Sequence, residues 1–184
     1  MGLRLAALVL LVWACGAAGA NTPASPPAPP PEVVAALPTA VLQGRSTLRF
    51  FGLAIYEARL WAAAGFDAER YAAQPFALEL RYARALAGSD IAERSIIEMQ
   101  RGGSFDDEQA SRWRAAMKRA FPDVVPGDRI TGLQHPDGST RFLHNGQPTS
   151  TLVDPVFARR FFGIWLAPTT SEPGLRRQLI GQNP

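Results

Sequence analysis

The sequence predicts an α+β domain in which helices pack on one face of an antiparallel sheet. Three observations carry that prediction. Extended and helical signals come in blocks, strands then helices then strands then helices, without the strand–helix–strand rhythm of a parallel sheet. Turn signals at Pro136-Asp137-Gly138 and Asn145-Gly146 join short apolar runs, so successive strands should run antiparallel. The helical stretches are apolar along one stripe only, and each such stripe must be covered.

Two adjacent extended segments are expected over Thr39 to Arg59, the first ending in a Gly-centred turn at Leu42-Gln43-Gly44. Leu48 to Trp61 reads as a central strand, apolar on both sides. Arg49, Phe51, Leu53 and Ile55 share one side; Leu48, Phe50, Ala54 and Tyr56 share the other. Asp67 to Gln74 is a short helix or turn. Phe76 to Arg84 is a strand with Phe76, Leu78, Leu80 and Tyr82 on its buried face and Glu79 and Arg81 opposite.

Gly88-Ser89-Asp90 breaks that strand. Asp90, with Glu93 three residues on, has the capping-box arrangement and opens a helix to about Arg101, which Gly102-Gly103 ends. Ser104 and Asp107 repeat the signal for a helix ending at Pro122, with Ala110, Trp113, Met117 and Phe121 as its apolar stripe. A meander follows, with strands at Asp128–Gln134, Thr140–His144 and Thr149–Val153. Asp154 then caps a helix whose first residue is Pro155, where no N–H is needed. Phe157, Phe161, Ile164 and Trp165 recur at helical spacing along it, and Pro168 stops it. A short helix from Ser171-Glu172 to Ile180 closes at Gly181.

Ahead of the domain stands a targeting segment, residues 1–20. Arg4 is its lone positive charge, Leu5 to Val12 its apolar stretch, and Ala18-Gly19-Ala20 has the small-x-small form that signal peptidase cuts. The expected chain begins at Asn21 and is periplasmic or secreted. A rival reading lipidates Cys15, but it puts the bulky Trp13 where such sites take small residues. Residues 21–32 are a Pro-rich linker, extended and unable to pack a core. Residues 33–184 are the folded domain.

Composition excludes several function classes. Cys15 is the only cysteine, so cleavage at Ala20 leaves no thiol for catalysis, disulfides or metal. His135 and His144 are the only histidines, each beside a turn, so neither a metal nor a cofactor is expected. Loss of Arg4 lowers the formal charge of +3 by one, and arginines and carboxylates are interspersed, which argues against nucleic acid as partner. Gly102-Gly103 ends a helix instead of following a strand, so it is no phosphate loop. Asp106-Asp107-Glu108 complements a helix dipole. No further apolar stretch is long enough to span a membrane.

Three stretches together resemble the chalcone isomerase-like family in its secreted bacterial branch. They are Gly52 to Trp61, Leu80 through Glu98, and Gly127-Asp128-Arg129-Ile130 followed by Asn145-Gly146 and the tail from Asp154 to Gly181. The resemblance implies an open-faced sandwich, a large antiparallel sheet with a helical layer on one face and a ligand cleft between them. Plant members that cyclise chalcones use a cleft arginine, a strand threonine, and a tyrosine and an asparagine on helices; related members bind fatty acids without that activity. Here Phe51 stands at the threonine's place, no arginine matches near Pro38 or Thr39, and 90–121 contains neither tyrosine nor asparagine.

No catalytic residue can therefore be assigned. The resemblance places Arg49, Phe51, Leu53, Tyr82 and Arg84 at the cleft. A guanidinium at Arg49 or Arg84 could hold a carboxylate by paired hydrogen bonds, while the competing reading pairs Arg49 with Glu57 or Glu79. Tyr56 is expected to be packing, and Ser95 and Glu98 to face solvent. The reading expected is a domain that binds a small apolar or carboxylate-bearing molecule, such as a fatty acid, without turnover. An isomerase or intramolecular lyase, and an envelope interaction protein whose cleft is filled by its own side chains, stay open beside it. A protein partner stays unassigned.

Overall fold

A computed structural model describes residues 27–182. The targeting segment, with Cys15 and the Ala20 cleavage site, lies outside the described residues. Six strands form one antiparallel sheet in chain order: β1 (Val41–Phe50), β2 (Leu53–Ala62), β3 (Phe76–Tyr82), β4 (Arg129–Gln134), β5 (Ser139–His144) and β6 (Gln147–Val153). Four helices cover one face: α2 (Gly88–Arg101), α3 (Asp107–Ala120), α4 (Pro155–Leu166) and α5 (Pro173–Leu179). A 3₁₀ segment, Ala68–Ala73, joins β2 to β3. The α+β class and the layer order are those the sequence predicts.

The core follows from strand alternation. Leu60, Leu78 and Phe142 point to the helices and meet a run of aromatics from α3 and α4. Phe157 and Phe161 stack with centroids 5.4 Å apart, and Phe142 meets Phe161 edge-on at 5.2 Å. The opposite face is not bare. α1 (Pro31–Ala36) sets Val33 on Trp61, Ala77, Leu133 and Leu143, a second and smaller core. α1 thus starts two residues inside the stretch assigned to the linker.

Several local expectations are corrected. Leu42-Gln43-Gly44 is not a turn: it is a bulge within β1. Gly44 lets α5 lie directly on the strand, because a Cβ there would overlap the Gln178 carbonyl. Nor is Leu48 to Trp61 one strand. The chain reverses at Phe51 and Gly52, whose φ values of 47° and 78° make a tight hairpin turn. β1 is an edge and β2 its neighbour. An aromatic residue rarely adopts positive φ, so Phe-Gly carries a far weaker turn signal than Asn145-Gly146, which turns as expected with φ of 51° and 85°.

β3 ends at Tyr82, not Arg84. Asp90 does not cap α2. The helix starts earlier, at Gly88, whose N–H is taken by Asp123 from beyond α3. α3 is capped by Asp106, which accepts from Gln109. Asp154 caps α4 as expected: its Oδ1 accepts from the Val156 and Phe157 N–H groups.

Candidate functional site

The aromatics fill most of the space between sheet and helices, but not at the end of the sheet next to the β1–β2 turn. There a cavity of about 370 Å³ remains, within the range of ~300–1,000 Å³ typical of small-molecule sites. Its floor is Leu48, Tyr56, Leu80, Tyr82 and Ile130 of the sheet. Ile91 of α2, with Phe161, Ile164 and Trp165 of α4, makes the roof. The walls are mostly apolar. Polar groups gather at the rim: Arg49, Asp90, Arg94, Glu98, Ser171 and Glu172.

Register explains the floor. Leu48 pairs with Tyr56 and Tyr56 with Tyr82, so all three share one face. The turn at Phe51 is what brings Leu48 and Tyr56 together. The bulge between Leu48 and Arg49 then sets Tyr56, expected from the sequence to serve packing alone, opposite Leu48 on the cleft floor. The Tyr56 hydroxyl accepts from the Trp165 indole at 2.9 Å, tying floor to roof, and keeps its own proton to donate. The Tyr56 and Tyr82 rings meet edge-on at 5.9 Å. Burial pushes both phenols well above their ordinary value, so both stay protonated.

Of the residues expected at the cleft, Arg49 and Tyr82 line it. Phe51 does not: it is 89% exposed on the turn. Leu53, half-exposed beside the turn, does not line it, and Arg84 lies exposed beyond the end of β3. Arg49 pairs with neither Glu57 nor Glu79; those carboxylates belong to Arg59, and Arg49 donates to the Gly52 carbonyl at 3.2 Å. Ser95 and Glu98 are buried, not solvent-facing. Glu98 is engaged by Arg94, Arg101 and the Ser171 hydroxyl, at 2.6, 2.9 and 2.8 Å, which ties α2 to the segment before α5.

Sequence reasoning missed Tyr56, Ile91, Arg94, Ile164 and Trp165 as lining. The apolar stripe of α4 was visible, but nothing local says which of its residues face a void and which face core. A larger hollow of about 540 Å³ lies between the 3₁₀ segment, the end of α2 and α4, lined by Arg70, Arg101, Arg159 and Arg160. Its cations are partly spent, Arg160 on the Gly102 carbonyl and Arg101 on Glu98. The smaller cleft, apolar with few polar groups, is the better-built ligand site. Among the described residues no cluster of three or more metal-ligating side chains occurs, and no helix is long and apolar enough to cross a membrane.

Known proteins resemble this chain in sequence or in fold. The sequence profile of a family described as chalcone isomerase-like matches residues 30–181. An uncharacterized protein of Haemophilus influenzae is 29% identical over 109 residues, which cover 59% of this chain and 53% of that protein, so the chain spans about half the length of that relative. A fatty-acid binding protein of Arabidopsis thaliana, solved as a crystal structure, superposes with a TM-score of 0.59 at 11% identity, over 78% of this chain and 87% of that one. At that identity the likeness is one of fold.

Proposed function

The chain belongs to the chalcone isomerase-like family, and from that premise we propose that the β1–β3 cleft binds a small apolar or amphipathic molecule, a fatty acid first among candidates, without turning it over. The observation that carries this reading is the unfilled, apolar-walled space of about 370 Å³ in a layer otherwise packed with aromatics. Each methylene moved from water into such a site contributes about 0.8 kcal/mol. Removal of the targeting segment read at residues 1–20 would place this binding outside the cytoplasm.

The rim offers two cations to a carboxylate. Arg94 is already paired with Glu98, whereas Arg49 spends one donor on a backbone carbonyl. Arg49 is therefore the head-group contact of this reading. Its exposure keeps the expected gain small, about 1 kcal/mol or roughly fivefold in affinity. The fatty-acid binding neighbour of the same fold supports the choice of ligand.

The test is a calorimetric titration of the purified protein with dodecanoate and its methyl ester. Ile164→Trp fills the cleft and should cut affinity for both at least tenfold with the thermal midpoint little changed. Arg49→Met should weaken the acid and leave the ester alone. Equal binding by Ile164→Trp would overturn the reading.

One observation favours a second reading, an isomerase: the fold brings two protonated phenols, Tyr56 and Tyr82, into one apolar site, where they could donate to a developing oxyanion. Steady cyclisation of a hydroxychalcone, lost in Tyr56→Phe, would select it over simple binding.

A further inference from the structure

We infer that the β1–β2 hairpin tip is a docking finger for an anionic phospholipid surface, through which the cleft exchanges its ligand. The inference rests on the cleft being a lipid-binding site. Phe50 and Phe51 stand at the tip, 64% and 89% exposed, their rings edge-on at 4.5 Å, and Leu53 beside them is half-exposed. Phe51 holds a left-handed backbone conformation that an asparagine or glycine would adopt more readily. The sequence thus keeps an aromatic ring in water at a position where backbone and solvent both disfavour it. Burial outside the molecule gives such a ring a use.

Position and charge say what covers it. Arg49 and Phe50 belong to the finger and also to the cleft wall, so the tip and the site are continuous. The finger does not stand alone at this end of the sheet. The Ala83 N–H bonds the Ile55 carbonyl and the Gly127 N–H bonds the Tyr82 carbonyl, which brings Arg84 and the exposed Val125 onto the same rim. Neither Arg49 nor Arg84 forms an ion pair among the described residues. The acids near this end are Asp90 and Glu172, on the cleft rim, Asp123, which accepts from the Gly88 N–H, and Asp128, which is held by Asn145 and the Val125 N–H.

Apolar rings flanked by arginines match an interface where acyl chains lie under negative headgroups. A second copy of the chain is a poorer match. Two phenylalanines, a leucine and a valine fall short of the roughly 800 Å² per partner that a stable interface buries.

Flotation of the purified protein with vesicles of phosphatidylcholine, with and without phosphatidylglycerol, tests this directly and needs no ligand. The protein should float with the mixed vesicles. Phe51→Asn, which suits the turn and leaves the cleft lining intact, should reduce flotation at least fivefold. Arg84→Gln should reduce it only on phosphatidylglycerol. Transfer of an anthroyloxy fatty acid to vesicles should accelerate with vesicle concentration in the unaltered protein and not in Phe51→Asn, while both bind that probe equally. Unchanged flotation of Phe51→Asn, or none by the unaltered protein, overturns the inference. So does a dimer that Phe51→Asn dissociates. Failure to bind the probe with flotation intact would sink the cleft reading and leave the finger standing.

Discussion

Glu79 shows what a single residue does beneath the sheet. It is 1% exposed, on the face away from the cleft, where its Oε2 accepts the Trp61 indole N–H at 2.9 Å. Arg59 and Arg129 approach its other oxygen, each at 3.8 Å, and Arg129 reaches on to Glu32 of α1 at 2.9 Å. A carboxylate this deep is tolerated only because it is paired and bonded. The chain Glu32–Arg129–Glu79–Arg59 fixes α1 to the sheet beside its small apolar contact. Glu79→Leu strands the indole donor and leaves Arg59 and Arg129 only their contacts with Glu57 and Glu32, and should cost about 2–3 kcal/mol. Glu79→Gln keeps an acceptor for Trp61 and should cost less. Urea midpoints of the two variants check the order; a Leu variant as stable as the parent would mean that packing alone holds this face.

The α4 helix makes the same argument one scale up. Local chemistry starts it: Asp154 Oδ1 serves two backbone N–H groups and Pro155 preforms the first turn. Tertiary chemistry aims it, because Asp154 Oδ2 accepts the Trp113 indole of α3 at 2.8 Å. Two substitutions separate these roles. Asp154→Asn preserves the cap and sets an amide donor against the indole; it should cost about 1 kcal/mol. Asp154→Ala loses both and should cost about 2 kcal/mol. Equal midpoints for the two variants in thermal unfolding would remove the Trp113 bond from the account.

At the scale of the whole molecule, all three tyrosines report how thoroughly the fold excludes water. Tyr56, Tyr71 and Tyr82 are each pushed up from an ordinary value of 10.0, chiefly by burial. The native state holds these protons more tightly than the unfolded chain does. Their contribution to stability is therefore complete below pH 10 and is lost as the pH rises beyond it. Absorbance at 295 nm should show no tyrosinate in the native protein near pH 10, then a rise coincident with loss of far-ultraviolet ellipticity. Early titration of one tyrosine, with the fold intact, would mean that the cleft admits water freely.

What the sequence determined by itself is everything set by neighbours along the chain. The Asp154-Pro155 start, the Asn145-Gly146 turn, the Trp113–Met117 stripe and the α+β order rest on local rules of capping, positive φ and periodicity. Together with the quoted motifs these sufficed to name the family. What only the tertiary structure decided is which side of each strand meets what. The turn at Phe51-Gly52 and the bulge beside it have no strong local signature, and together they put Phe51 on the surface and Tyr56 opposite Leu48 in the cleft. The Tyr56–Trp165 bond joins residues 109 positions apart. A void is a property of several elements failing to fill one volume, so no window of sequence could contain it.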